Sequence, residues 1–311
     1  MNNFNFNTFF YSWWKNVDKI ILSLFLILFI LGLFFSLVST SLIASDKLNT
    51  NSYYFFVKHL VFVLIGFGII VFFSILNSER LIYLSIILFI IFFITLILVP
   101  FIGIEVKGSK RWIDPGFLPR FQPIETLKPF FILLISIILS KTKLKSLYYK
   151  YLLTLFLLVS VISFLVLQPD IGQTMLVFLT WLSLIFVSGI NLLFFLTFFI
   201  FSGSMMFYLI FFIPKFEYIK IRLNSFLNPS PGNNYQSEKA SEAIVNGGFF
   251  GKGIGEGELN TKIPEAHTDY IVSVISEEFG IIIIIGIMII YLILALQILK
   301  KVENEKDNLI R

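Results

Sequence analysis

Asp269 and Glu277, eight positions apart, are the residues of this chain whose placement most demands a chemical reason. Asp269 closes the polar stretch 214–269, which ends Pro264-Glu265-Ala266-His267-Thr268-Asp269. Glu277 and Glu278 lie inside the apolar run that follows. Carboxylates held at or within the edge of a hydrocarbon layer are expensive and mark a functional site by default. Read as one helix, Asp269, Ser273, Ser276, Glu277 and Gly280 share a face, because their spacings follow the helical repeat. Glu277 would then lie about 12 Å deeper than Asp269 at the helical rise per residue. A polar stripe of that kind lines a wet groove, with Asp269 at its rim, placed to activate a hydroxyl. The plainer alternative is that Thr268 caps the helix and Asp269 only steadies its first turn against the dipole. His267 by itself makes a poor metal site, whereas carboxylates together with a phosphorylated substrate could hold Mg²⁺.

A second polar stretch, loop 103–123, sets Lys107, Lys110, Arg111 and Arg120 against Glu105 and Asp114. Such a loop could bind the phosphate of an anionic lipid, or its charges could simply balance nearby acids and head groups. Gln122-Pro123-Ile124-Glu125-Thr126-Leu127-Lys128-Pro129 then opens an apolar helix. Pro123 suits the first turn, and Glu125 and Lys128 are spaced to pair on one face. They form either a helix-start ion pair or a charged pair kept inside an apolar span for a site. In Gln168-Pro169-Asp170-Ile171-Gly172-Gln173, Asp170 is expected to cap the next helix. The glycine-rich run Gly247–Gly257 lacks the preceding strand and the Gly-Lys-Ser/Thr ending of a phosphate loop. Its glycines are expected to permit tight turns or close backbone approach, after a short interfacial helix over Ser237–Val245.

Around these segments, the chain is 57% hydrophobic and only 14% charged, against about 25% charged in soluble domains. The apolar residues come in runs long enough to span a bilayer. The fold class is therefore an all-α polytopic membrane protein, read as a single domain over 1–311. Eight spans are expected, at 20–43, 57–76, 81–102, 124–140, 151–167, 173–189, 191–213 and 270–299. There are no cysteines, which excludes disulfides and thiolate chemistry. No cleaved signal peptide and no nucleic-acid partner are expected.

With eight spans, parity puts loops 44–56, 103–123, 168–172 and 214–269 on one face, so every long polar stretch shares a side. Lys and Arg divide almost evenly between the faces, and a positive-inside count does not decide orientation. Lys141–Lys150, however, is a compact basic turn without acids. It places the N-terminus and tail in the cytoplasm and the large loop 214–269 outside.

Five segments, in order, resemble the SEDS family of peptidoglycan polymerases, which includes FtsW, RodA and SpoVE. They are Lys107-Gly-Ser-Lys-Arg-Trp112, Gln122-Pro-Ile-Glu-Thr-Leu-Lys128, Gln168-Pro-Asp-Ile-Gly172, Asn246-Gly-Gly-Phe-Phe-Gly-Lys-Gly253, and Pro264-Glu-Ala-His-Thr-Asp269 continuing to Glu277-Glu-Phe-Gly280. Gly255-Glu-Gly257 and Pro264-Glu-Ala-His267 look more like FtsW than RodA. The resemblance implies a glycosyltransferase that polymerises lipid II in the outer leaflet of the inner membrane, at the division septum. It implies Asp269 as general base, and Lys107, Lys110, Arg111, Trp112 and Arg120 as contacts to lipid II and its pyrophosphate. Glu125, Lys128, Asp170, His267 and Glu277 would support the site. It also implies a class B penicillin-binding protein and other divisome proteins as partners. Mg²⁺ or another divalent cation is the cofactor that carboxylates and a phosphorylated substrate could hold, and no organic cofactor is expected. Ile124 stands where the family usually has Ser. Ten helices are usual in the family, so this chain is expected to lack the last two, which are either cut off or dispensable here. A lipid II flippase, or a non-catalytic division scaffold, is the competing class.

Overall fold

The computed structural model describes residues 11, 13–40, 53–106, 109–116, 119–141, 146–227, 235–259, 262–263, 266, 269–307 and 309. Lys107, His267 and Thr268 lie outside the described residues.

Long runs of Leu, Ile and Phe fold as helices because a helix satisfies its own backbone groups where no water can. The described elements are α1 (Lys19–Phe35, continued by a π-helical turn over Ser36–Thr40), α2 (Tyr54–Ile75), α3 (Ser78–Ile102), β1 (Ile104–Val106), β2 (Ser109–Trp112) and α4 (Pro123–Lys141). Then come α5 (Leu147–Leu167), α6 (Ile171–Val187), α7 (Leu192–Phe212), α8 (Glu217–Leu227), α9 (Tyr235–Gly247), α10 (Ile271–Phe279) and α11 (Ile281–Glu303). Seven of these helices are long and apolar enough to cross a membrane. The eighth apolar helix, α6, has 17 residues, about 25 Å by the helical rise. The polar stretch 214–269 is not featureless, since it contains α8 and α9.

The eighth expected span needs correction. A continuous helix over 270–299 does not form; the chain breaks at Gly280, where φ is 84°. Only α11 is long enough to span, and the nine-residue α10 precedes it. Glu277 and Glu278 therefore sit ahead of the membrane-crossing helix rather than within it.

The chain forms two compact units, Met1–Ile75 with Tyr208–Glu305, and Leu76–Phe207 with Lys306–Arg311. In the first, α1 and α11 run antiparallel. Lys301 pairs with Asp18 at 2.9 Å at one end, and the rings of Phe35 and Phe279 meet edge to face at the other. In the second, Leu96, Leu127, Phe131, Ile135, Val161 and Leu165 make the centre of a core shared by α3, α4 and α5. The β1–β2 hairpin is antiparallel, with Glu105 opposite Lys110. A bridge between Ile113 and Phe121 returns the chain to the start of α4.

Candidate active site

The first candidate cluster is built by α9, the glycine turn after it and α10. Gly247 and Gly251 lie so close to α10 that a Cβ on either would fall 2.1 Å from the carbonyl oxygen of Ser276 or Glu278. A Cβ on Gly280 would likewise meet the Phe249 carbonyl at 2.1 Å. Glycine is thus required for backbone contact, as expected from the sequence. Contact at that range lets Lys252 N–H donate to Glu277 O at 2.9 Å and Gly253 N–H to Glu278 O at 3.1 Å.

Glu277 is fully buried in this lattice. Its Oε1 accepts three hydrogen bonds, each 3.1 Å long, from Asn246 Nδ2 and from the backbone N–H groups of Glu258 and Leu259. Its Oε2 is buried with no hydrogen bond among the described residues. The expected wet stripe from Asp269 to Glu277 is therefore not what the fold builds: Glu277 is an internal strut. Buried backbone donors must be satisfied, and this carboxylate satisfies two from the loop that leads to Asp269.

Asp269 lies in the turn before α10, not in its first helical turn, and is exposed. Tyr270 occupies the N-cap position and makes no side-chain cap bond. Ile263 and Ala266 pack against Ala243 and Val274, while Asp269 stays at the surface. No ion pair or hydrogen bond engages the Asp269 carboxylate among the described residues. An exposed acid is suited to take a proton from a bound hydroxyl.

The second cluster belongs to the other unit. Strand β2 alternates, placing Arg111 inward and Lys110 and Trp112 outward. Arg111 Nη2 donates to Pro169 O at 2.8 Å, and its Nε lies 3.6 Å from Asp170 Oδ2. The guanidinium therefore closes the carbonyl end of α5, where a cation is favoured. Asp170 also caps α6 by accepting from Gln173 N–H at 3.3 Å, and takes a bond from Gln122 Nε2 at 3.0 Å. Glu125 and Lys128 pair at 2.7 Å. Gln173 joins both, accepting from Lys128 Nζ at 3.0 Å and donating to Glu125 Oε1.

Of the expected anion contacts, Arg111 thus spends two donors on structure. Arg120 pairs with Asp114 at 2.8 Å, and its guanidinium, followed by Gly116 N–H, holds the Asp114 carboxyl below its ordinary range. Lys110 is exposed, without an ion pair among the described residues. Gln122, Gln173 and Asn246 fall within the segments quoted from the sequence, which gives none of them a role of its own. Their partners lie 31 to 48 positions away, and no local pattern encodes such pairings. Among the described residues no three His, Asp or Glu side chains converge as a metal site.

Fold and sites together define an all-α polytopic membrane protein with an exposed acid ahead of α10 and a cross-linked ionic corner beside a basic hairpin. The sequence profile of the cell cycle protein family of FtsW, RodA and SpoVE matches residues 18–311, and the chain belongs to that family. It is 33% identical over 295 residues to the probable peptidoglycan glycosyltransferase FtsW of Wigglesworthia glossinidia brevipalpis, covering 91% of this chain and 75% of that protein. It is 28% identical to the protein of the same name from Caulobacter vibrioides, covering 87% of this chain and 68% of the relative. Among solved structures, a chain from a peptidoglycan synthase complex that coordinates polymerization and crosslinking superposes with TM-score 0.73 at 21% identity, over 95% of this chain and 81% of that one. The rod shape determining protein RodA of Thermus thermophilus gives TM-score 0.60 at 20% identity, over 96% and 80%. At those identities the structures establish the shared fold.

Proposed function

We propose that this protein is a peptidoglycan glycosyltransferase that polymerises lipid II into glycan strands at the outer leaflet during cell division. The observation that carries the reading is the contrast among neighbouring acids: Glu277 and Glu278 are buried, while Asp269 is exposed. The relatives named peptidoglycan glycosyltransferase FtsW supply the reaction class.

In this mechanism Asp269 removes the proton from the acceptor sugar hydroxyl as its oxygen attacks the donor's anomeric carbon. The bond from that carbon to the pyrophosphate breaks, and the undecaprenyl pyrophosphate leaves with the bonding electrons. Lys110, with Lys107 three residues before it in sequence, would stabilise the charge growing on the leaving group. Arg111 and Arg120 would hold the loop through Asp170 and Asp114. A single carboxylate does not make a resident Mg²⁺ centre, so a divalent cation would arrive with the pyrophosphate. The partner would be a class B penicillin-binding protein within the divisome, at the septum, with the N-terminus of this chain cytoplasmic. The peptidoglycan synthase complex of similar fold supports such a pairing.

The test is glycan-chain formation from labelled lipid II by the purified chain with its class B transpeptidase and Mg²⁺. Wild type should make polymer, and Asp269→Asn should lose about two to four orders of magnitude in rate, the usual worth of a positioned base. Polymer from Asp269→Asn at the wild-type rate would overturn the assignment of the base. Transbilayer movement of lipid II without polymer would instead favour a flippase.

A further inference from the structure

The glycine turn carries an apolar patch that internal packing does not explain. Val245, Phe249, Phe250 and Ile254 are 80, 72, 84 and 61% exposed. The backbone beneath them is tightly tied. Gly251 N–H donates to Gly247 O at 2.9 Å, the next two N–H groups donate to carbonyls of α10, and Ile281 N–H donates back to Gly248 O at 3.0 Å. A turn tied from both sides fixes the directions in which its side chains leave the backbone, and both rings stand in the open. An apolar patch of this kind on an ordered segment marks a contact surface.

Its position says which surface. Ile281 is the first residue of α11, a membrane-crossing helix, and its N–H is bonded to the residue immediately before Phe249. The rings therefore stand at the level where the membrane-crossing surface begins. That surface is apolar and outward-facing from its first turns, with Ile282, Ile285, Met288 and Ile289 all exposed. Lys252, two residues beyond Phe250, has no ion pair among the described residues and adds a cation of the kind attracted to lipid phosphate. Aromatic rings and basic side chains together are the composition of an interfacial anchor.

We propose that the Phe249–Phe250 turn is a membrane anchor, with both rings inserted into the interfacial layer of the leaflet at which α11 begins. Insertion fixes the height of the glycine turn and, through its backbone bonds, of α10. The proposal does not depend on the role of Asp269.

The chain contains no cysteine, so a single introduced thiol can be labelled uniquely. Phe250→Cys, Phe249→Cys, Lys262→Cys and Ile285→Cys would each carry a nitroxide in the full chain, reconstituted in phosphatidylethanolamine–phosphatidylglycerol vesicles. Collision with oxygen and with a water-soluble nickel chelate would be measured by power saturation. Labels at 249 and 250 should be shielded from nickel several-fold relative to position 262 and should approach position 285 in oxygen access. Nickel access at both positions equal to that at 262 would overturn the anchor. Shielding that appears only when the class B transpeptidase is added would also overturn it, and would assign the patch to a protein partner.

Discussion

Glu277 Oε1 accepts a hydrogen bond from Asn246 Nδ2 at 3.1 Å, which ties α10 to the last turn of α9 across 31 positions of sequence. The same oxygen takes the N–H groups of Glu258 and Leu259. One buried carboxylate oxygen thus fixes three points on the module that presents Asp269. Its value lies in the donors it satisfies, since the carboxylate faces no cation among the described residues.

That relationship predicts the behaviour of two substitutions at one site. Glu277→Gln keeps an oxygen that can accept from the same donors and should fold with modest loss of thermal stability in detergent. Glu277→Ala strands three donors, each costing about 1–3 kcal/mol when left unmet and buried. The alanine variant should unfold at a much lower temperature than the glutamine variant. Equal melting temperatures for both would remove Glu277 from this structural role.

Two glycines of the same loop separate backbone strain from steric exclusion. Gly255 has φ 77° with nothing within 4 Å of an added Cβ, whereas Gly251 has φ 79° and would place Cβ 2.1 Å from Glu278 O. Gly255→Ala should cost about 1–2 kcal/mol, the usual penalty for a left-handed residue with a side chain. Gly251→Ala must in addition push the turn off α10, breaking the bonds from Lys252 and Gly253. Its melting temperature should therefore fall clearly further, and equivalence of the two variants would show that the turn does not rest on α10.

The ionic corner can be tested by a double-mutant cycle. Lys128 and Glu125 pair at 2.7 Å, with the Glu125 side chain 49% exposed. Solvent screening limits such a pair to about 0.5–1 kcal/mol of coupling. Lys128→Met and Glu125→Gln should each destabilise, and the double variant should lose less than the two losses added together. Strict additivity in thermal unfolding would mean that the pair is incidental and that Gln173 alone holds the corner.

The membrane spans were legible because twenty apolar residues in succession have few other ways to fold. The Asp170 cap and the Glu125–Lys128 pair were legible because each is local. The break at Gly280 was not. Nothing in Ser276-Glu277-Glu278-Phe279 before it or Ile281–Ile285 after it forbids a continuous helix, and what excludes a side chain there is the carbonyl of Phe249, 31 positions earlier. The stripe reading of Asp269 and Glu277 failed for a different reason: Asp269 lies ahead of α10, and Glu277 is buried among donors from Asn246, Glu258 and Leu259. The hairpin escaped notice because Lys, Gly and Ser dominate residues 107–110 and its strands have only three and four residues. Arg111 could be seen as a cation, but its inward direction follows from strand alternation, which required knowing that a strand was present.

The opposite end of the α1–α11 pair gives a pH dependence whose sign follows from one carboxylate. Asp18 accepts from Ile20 and Ile21 N–H, each at 3.0 Å, and pairs with Lys301 at 2.9 Å. The backbone bond from Ile21, followed by the Lys301 interaction, lowers its pKa from 3.8 to about 2. A carboxyl depressed in the folded state stabilises the fold above its ordinary pKa and loses that contribution as pH falls through the folded value. Wild type should therefore melt above Asp18→Asn at any pH greater than 3.8, and the two curves should converge as pH approaches about 2. High salt should narrow the gap only in part, because screening weakens the exposed Lys301 pair while the cap bonds to the backbone persist. A gap that stays constant through the acid range would mean that Asp18 acts through its shape and not its charge.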